Sequence, residues 1–253
     1  MIQEEMYKIH NAAIVLAAGQ GKRMRTKVQK QFLEVEGKPV LYYSLETFEQ
    51  SPIIDEVVLV VGDGLVDYCQ KEIIDKYHFH KVKKIVLGGK ERYESVFGGL
   101  RALMESAPEY VFIHDGARPF VDCDMLKRAY NEVVKTKACV VGMPSKDTIK
   151  VVNKDGVVVE TPDRKYLWQI QTPQVFSFDL IREAYFELMK QEVINVTDDA
   201  MVLETVKGMA VKLVEGSYEN IKITTPEDLF IATAFLKKRK IKEKDIDKFD
   251  DEC

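Results

Sequence analysis

Apolar residues recur along the chain in short, unbroken runs: residues 12–18 (AAIVLAA), 57–61 (VVLVV), 85–87 (IVL), 110–114 (YVFIH) and 138–141 (ACVV). None alternates with polar positions, so each predicts a strand in a sheet covered on both faces. Between the runs the apolar positions change to helical spacing. Leu41, Leu45 and Phe48 follow Pro39, which suits the first turn of a helix. Val66, Cys69 and Ile73 form one stripe of a helix over 65–77, and further helices are predicted over 95–104 and 125–134. Strand and helix alternating about every 25–30 residues is the βαβ signature, and right-handed crossovers then build an α/β, doubly wound, mostly parallel sheet. Ligands on such sheets bind beyond the carboxyl ends of the strands.

The alternation breaks after Pro144. Residues 148–152 and 157–161 flank Asn153-Lys154-Asp155-Gly156, and Asp-Gly between β-branched runs signals a hairpin. It has no helical neighbour and reads as an arm, over 145–170, leaving the main sheet. Regular structure is predicted to resume with a strand over 171–176, helices over 178–191 and 198–206, a strand over 210–214 and a strand-like segment over 220–224. A last helix starts at Thr225-Pro226-Glu227-Asp228, with Thr225 as cap, Pro226 at the first helical position and two acids at the positive helix end. Residues 240–253 form a charged C-terminal tail.

The 253 residues then make a single domain over 1–253 with the arm inserted in it. Hydrophobic residues at 46% and charged residues at 31% are globular values. A net charge of −4 argues against a nucleic-acid partner. The charge is unevenly spread, however. Lys22, Arg23, Arg25, Lys27 and Lys30 place five cations within nine residues, a local patch suited to a polyanion such as a triphosphate. Arg25 and Lys27 read as solvated members of that loop. No apolar run approaches the roughly 20 residues that cross a bilayer, and the N-terminus lacks a signal-peptide core. Cys69, Cys123, Cys139 and Cys253 form no CxxC pair, so the expectation is reduced thiols and a cytoplasmic protein.

The candidate chemistry sits where the strands end. The first strand runs into Ala17-Ala18-Gly19-Gln20-Gly21, whose small residues let the backbone approach a ligand and turn its N–H groups toward phosphate oxygens. The pattern has neither the Rossmann glycine spacing nor the P-loop ending. Arg23 could grip phosphate with its planar fork and Lys30 could act as a mobile point charge. Gly88-Gly89 with Ser95 opening a helix is a second such loop, and Gly98-Gly99 inside that helix costs about 1 kcal/mol per glycine relative to Ala unless close packing requires it. Asp115 at a buried strand tip suits Mg²⁺, which bridges carboxylates and substrate phosphates. Arg118 could hold a further anion or pair with Asp115, and His114 reads as a packed strand residue. Lys222, between Ile221 and Ile223, could stabilise charge developing in a transfer reaction.

LAAGQGKRM, KQF, GGKERYESV, HDGARPF, DTIK, QTPQVF, TDDA and NIKITTPEDL occur in this order. Together they resemble the 2-C-methyl-D-erythritol 4-phosphate cytidylyltransferase family, over nearly the whole chain. The resemblance implies a Rossmann-like nucleotidyltransferase fold and a reaction of CTP with the alcohol phosphate that releases pyrophosphate. It implies that Ala17, Ala18, Gly19 and Gly21 contact CTP, and that Arg23 and Lys30 hold its triphosphate. Gly89 and Ser95 would lie against the cytidine. Asp115 would bind Mg²⁺ and help position both substrates, and Lys222 would lie beside the reacting phosphate. Arg118 would bind the second substrate. Thr148 and Arg164, on the arm, would bind it in the partner subunit of a homodimer. Gln29 and Lys90 depart from common family residues, Pro and Asp respectively. A ribitol 5-phosphate cytidylyltransferase and a non-catalytic nucleotide-binding regulator are the competing readings.

Overall fold

The computed structural model describes residues 9–19, 21, 24 and 28–250, with side chains through residue 239 and at residue 241. Arg23, Lys22, Arg25 and Lys27 lie outside the described residues. The chain opens with β1 (Asn11–Ala17), then a 3₁₀ turn (Lys30–Phe32) and the small ribbon of β2 (Glu34–Val35) and β3 (Lys38–Pro39). It continues through α1 (Val40–Gln50), β4 (Glu56–Val61), α2 (Val66–Cys69) with a π-wound extension (Gln70–Asp75), β5 (Val82–Leu87), α3 (Arg92–Ala102) and β6 (Tyr110–Asp115). Next come α4 (Cys123–Thr136), β7 (Ala138–Pro144), the hairpin β8 (Val151–Val152) and β9 (Val158–Glu160), and a 3₁₀ turn (Arg164–Tyr166). The last elements are β10 (Trp168–Ser177), α5 (Phe178–Leu188), α6 (Asp199–Lys207), β11 (Lys212–Glu215) and α7 (Pro226–Asp250).

The seven main strands lie in the order β11-β7-β10-β6-β1-β4-β5. Pairings are parallel except at β10, which is antiparallel to β6 and β7. The unbroken apolar runs are explained by helices on both sides. Ala13, Val15 and Ala17 of β1 pack with Leu41, Leu45 and Phe48 of α1, Cys69 of α2 and Met125 of α4. Ala12 and Ile14 point the other way, to Val96 and Leu100 of α3, Ile181 and Tyr185 of α5 and Leu203 of α6. Burying each such Leu, Ile or Phe contributes about 1.5–3 kcal/mol. Alpha-7 covers a third cluster with Val35, Val40, Phe120 and Ile223.

Several expectations shift. Beta-5 is longer than its apolar run. Alpha-3 begins at Arg92, so Ser95 lies one turn inside it. Glu91 caps the helix in a reciprocal box with Glu94. The paired part of the arm is shorter than the β-branched runs. Beta-10 starts earlier than expected, with a cis Thr172–Pro173 peptide inside it. Residues 220–224 are irregular rather than a strand. The start of α7 is held by Asp228, whose carboxylate accepts from the N–H groups of Thr224 and Thr225 at 2.7 and 2.8 Å. The charged tail is helical to Asp250. Gly99 has its packing reason: a Cβ there would come 2.7 Å from Ile14 Cγ2, so α3 lies directly on β1.

Candidate active site

Beta-1 has β4 on one side and β6 on the other, so the strand order reverses there, and Leu16 stands beside Asp115 in register. Such a switch point opens a crevice at the carboxyl ends. A cleft of about 640 Å³ lies there, lined by Ala18, Gly19 and Gly21 after β1, Lys30, Gly89, Arg92 and Ser95, Asp115, and Lys222. Ala17 is buried just beneath it.

Each wall is fixed by specific contacts. Gln31 is buried and its side-chain amide donates to the carbonyls of Ala17 (2.6 Å) and Gly19 (3.1 Å), tying the turn that carries Lys30 to the glycine loop. Gln29 Oε1 accepts from the same amide at 2.6 Å. Gly21 has φ +62°, a conformation glycine adopts at little cost, and a Cβ there would come 3.4 Å from Lys30. Ser95 Oγ accepts from the Gly89 N–H at 3.1 Å. A side chain at Gly88 would collide with Ala18 Cβ and Ser95 Oγ.

Asp115 sits among cations. Its carboxylate is 2.7 Å from Lys222 Nζ, 3.5 Å from Arg92 Nε and 3.8 Å from Arg118 Nε. Burial, the largest single influence, opposes ionisation. Arg92, Lys222 and Arg118 together outweigh it and hold the carboxyl well below the usual carboxylate range. The strand end is locked by a directed chain. The Asp115 N–H donates to Thr172 Oγ1 at 3.0 Å, and that hydroxyl lies 3.0 Å from His114 Nδ1. His114 Nε2 faces the Arg118 carbonyl at 3.1 Å. A carbonyl only accepts, so Nε2 carries the proton and Nδ1 accepts from Thr172. His114 is fully buried, and burial pushes its pKa down to about 4, so the ring is neutral.

Arg118 does not line the cleft. Its fork is 2.8 Å from the Asn220 carbonyl and 3.5 Å from that of Ile170, beneath Asp115. Thr148 and Arg164 lie exposed on the arm and do not line the cleft either; Arg164 donates to the Lys146 carbonyl at 2.9 Å. Sequence reasoning missed the support behind Asp115. Arg92 makes a two-pronged pair with Asp199 at 2.8 and 2.7 Å, and the Tyr185 hydroxyl donates to the same carboxylate at 2.6 Å. Gln174 Oε1 accepts from the N–H groups of Asp199 and Ala200 at the start of α6. The sequence signal for it is the acidic pair Asp198-Asp199 at the start of α6.

The switch-point cleft, with its glycine loop, three lysines (Lys30, Lys90 and Lys222) and cation-ringed carboxylate, places the chain among the α/β nucleotidyltransferases. A family profile described as 2-C-methyl-D-erythritol 4-phosphate cytidylyltransferase matches residues 11–238. The chain belongs to this family. It is 51% identical to the protein of that name from Lachnospira eligens over 228 residues, 90% of this chain and 99% of the relative. The protein of that name from Lachnoclostridium phytofermentans is 48% identical over 225 residues, 89% and 95% of the two chains. Among solved structures, the 4-diphosphocytidyl-2C-methyl-D-erythritol synthase of Anaerococcus prevotii superposes with TM-score 0.78 at 37% identity, covering 90% of this chain and 99% of its own. No helix among the described residues is long and apolar enough to cross a membrane.

Proposed function

We propose that the chain joins CTP to 2-C-methyl-D-erythritol 4-phosphate, giving 4-diphosphocytidyl-2-C-methyl-D-erythritol and pyrophosphate, for isoprenoid precursor synthesis in the cytoplasm. The observation that carries this is the cleft itself: a family member keeps Lys30 and Lys222 on its walls with Asp115 between the strand tips. The substrate phosphate oxygen attacks the α-phosphorus of CTP, the bond to the bridging oxygen breaks, and pyrophosphate leaves with that electron pair. The attacking group is already anionic, so no protein nucleophile is needed. The obstacle is repulsion: two like charges 4 Å apart oppose each other by about 4 kcal/mol at an effective dielectric of 20. Lys30, Lys222 and Arg23 offset it, which makes catalysis chiefly positioning and electrostatics.

Mg²⁺ fits the donor set. One ionised carboxylate lining the cleft, with substrate phosphates and water, is a common Mg²⁺ environment, and Asp115 is held ionised. A bound Mg²⁺ would neutralise triphosphate charge. The arm supports a homodimer, because Thr148 and Arg164 stand away from the cleft of their own chain, as donors to a partner's site would.

The test is pyrophosphate release with CTP, Mg²⁺ and either 2-C-methyl-D-erythritol 4-phosphate or ribitol 5-phosphate. Release with the first substrate is expected. Release with ribitol 5-phosphate alone overturns the substrate, and none with either overturns the activity.

A further inference from the structure

Lys222 lies on an irregular segment that borrows no rigidity from a strand ladder, yet its Nζ is 2.7 Å from Asp115. Something else must hold that segment. Two residues earlier is Asn220, completely buried. Its side-chain amide donates to the Thr172 carbonyl at 2.9 Å and to Gln171 Oε1 at 3.2 Å, both in β10. Its main-chain carbonyl accepts from Arg118 at 2.8 Å. Gln171 closes the other end of the segment, donating from Nε2 to the Ser217 carbonyl at 2.8 Å. Beyond Lys222, the Ile223 N–H donates to the Ala117 carbonyl at 2.8 Å.

We propose that Asn220 is a positioning residue for the reaction: its amide pins the Lys222 segment to β10 and thereby sets where the Lys222 ammonium stands beside Asp115. The residue type follows from the geometry. Two oxygen acceptors converge on Nδ2, with Met125 Sδ a third contact at 3.5 Å, so the position requires a donor, and a carboxylate there would face two oxygens with no proton to offer. A displacement of about 1 Å in such a group can cost on the order of 100-fold in rate. The proposal rests on the role given to Lys222 above.

The test is a double-mutant cycle on the full-length protein, with turnover followed using radiolabelled CTP and folding checked by thermal melting. Asn220→Asp, of equal size, is expected to lower kcat about 30-fold while changing the KM for CTP by threefold or less. In a Lys222→Ala background the same change is expected to lower kcat by threefold or less, because the group it positions is gone. Gln171→Ala, which leaves the Thr172 contact, is expected to show about a fivefold loss with the same coupling, and carries the test if Asn220→Asp does not fold. Equal losses in both backgrounds overturn the proposal, as does a folded Asn220→Asp protein with normal kcat. Near-normal turnover of Lys222→Ala alone removes the reading of Lys222 itself, and the proposal with it.

Discussion

Asp199 and Arg92 differ in what each can do when the other is removed. The Asp199 side chain is 0% exposed, whereas that of Arg92 is 29% exposed at the cleft. Arg92→Ala therefore strands a carboxylate with only the Tyr185 hydroxyl and α6 around it, and is expected to cost about 3–5 kcal/mol, the range for breaking a buried pair. Asp199→Ala leaves a guanidinium that can turn toward water and Asp115 and takes the acceptor from the buried Tyr185 hydroxyl, and is expected to cost about 2 kcal/mol, the range for one buried donor left unsatisfied. Urea denaturation of the two variants measures the difference, and the reverse ranking would contradict it. No sequence rule could pair these residues, which lie 107 positions apart. Asp115 and Lys222 were legible because each stands out locally, one at the tip of an apolar strand and the other between two isoleucines. Gln31, Gln171 and Asn220 were not, because a polar residue in a turn, a strand or an irregular segment looks the same in sequence whether solvated or buried.

At the level of elements, α3 offers a paired comparison. Gly98 and Gly99 are neighbours in sequence and carry the same helix-propensity cost. A Cβ at Gly98 would meet only the Leu87 carbonyl, at 3.4 Å, whereas one at Gly99 would drive into buried Ile14. Gly98→Ala is expected to stabilise by up to about 1 kcal/mol, and Gly99→Ala to destabilise by about 1–3 kcal/mol through overpacking. Thermal melts of both read the opposite signs. The strands of the sheet core were legible because burial on both faces leaves an unbroken apolar run. The start of α3 was not, because its cap is a Glu91–Glu94 box rather than the usual Ser, Thr or Asp signal. Residues 220–224 alternate like a strand, but the buried residues are Asn220 and Ile223, three positions apart on an irregular segment, the first bonded to β10 and the second packed in the cluster under α7.

For the molecule as a whole, the arm is the part that its own core does not explain. Val152, Val157, Val158 and Val159 are each at least half exposed on a two-stranded ribbon, and an isolated hairpin is at best marginally stable. Exchange with a second copy would cover that surface and bring Arg164 to the neighbouring cleft. Arg164→Ala and Lys222→Ala homodimers are then each expected to be nearly inactive. Mixing them through denaturation and refolding is expected to recover about a quarter of normal activity, since random pairing makes half of the dimers mixed and each holds one intact site. No recovery would place the arm's residues in their own subunit's site. The exposed valines have a further consequence under this exchange. Dilution would separate subunits and strip each cleft of its borrowed arginine, so output per molecule would fall as the protein becomes scarce, making the enzyme's own abundance a control on its rate.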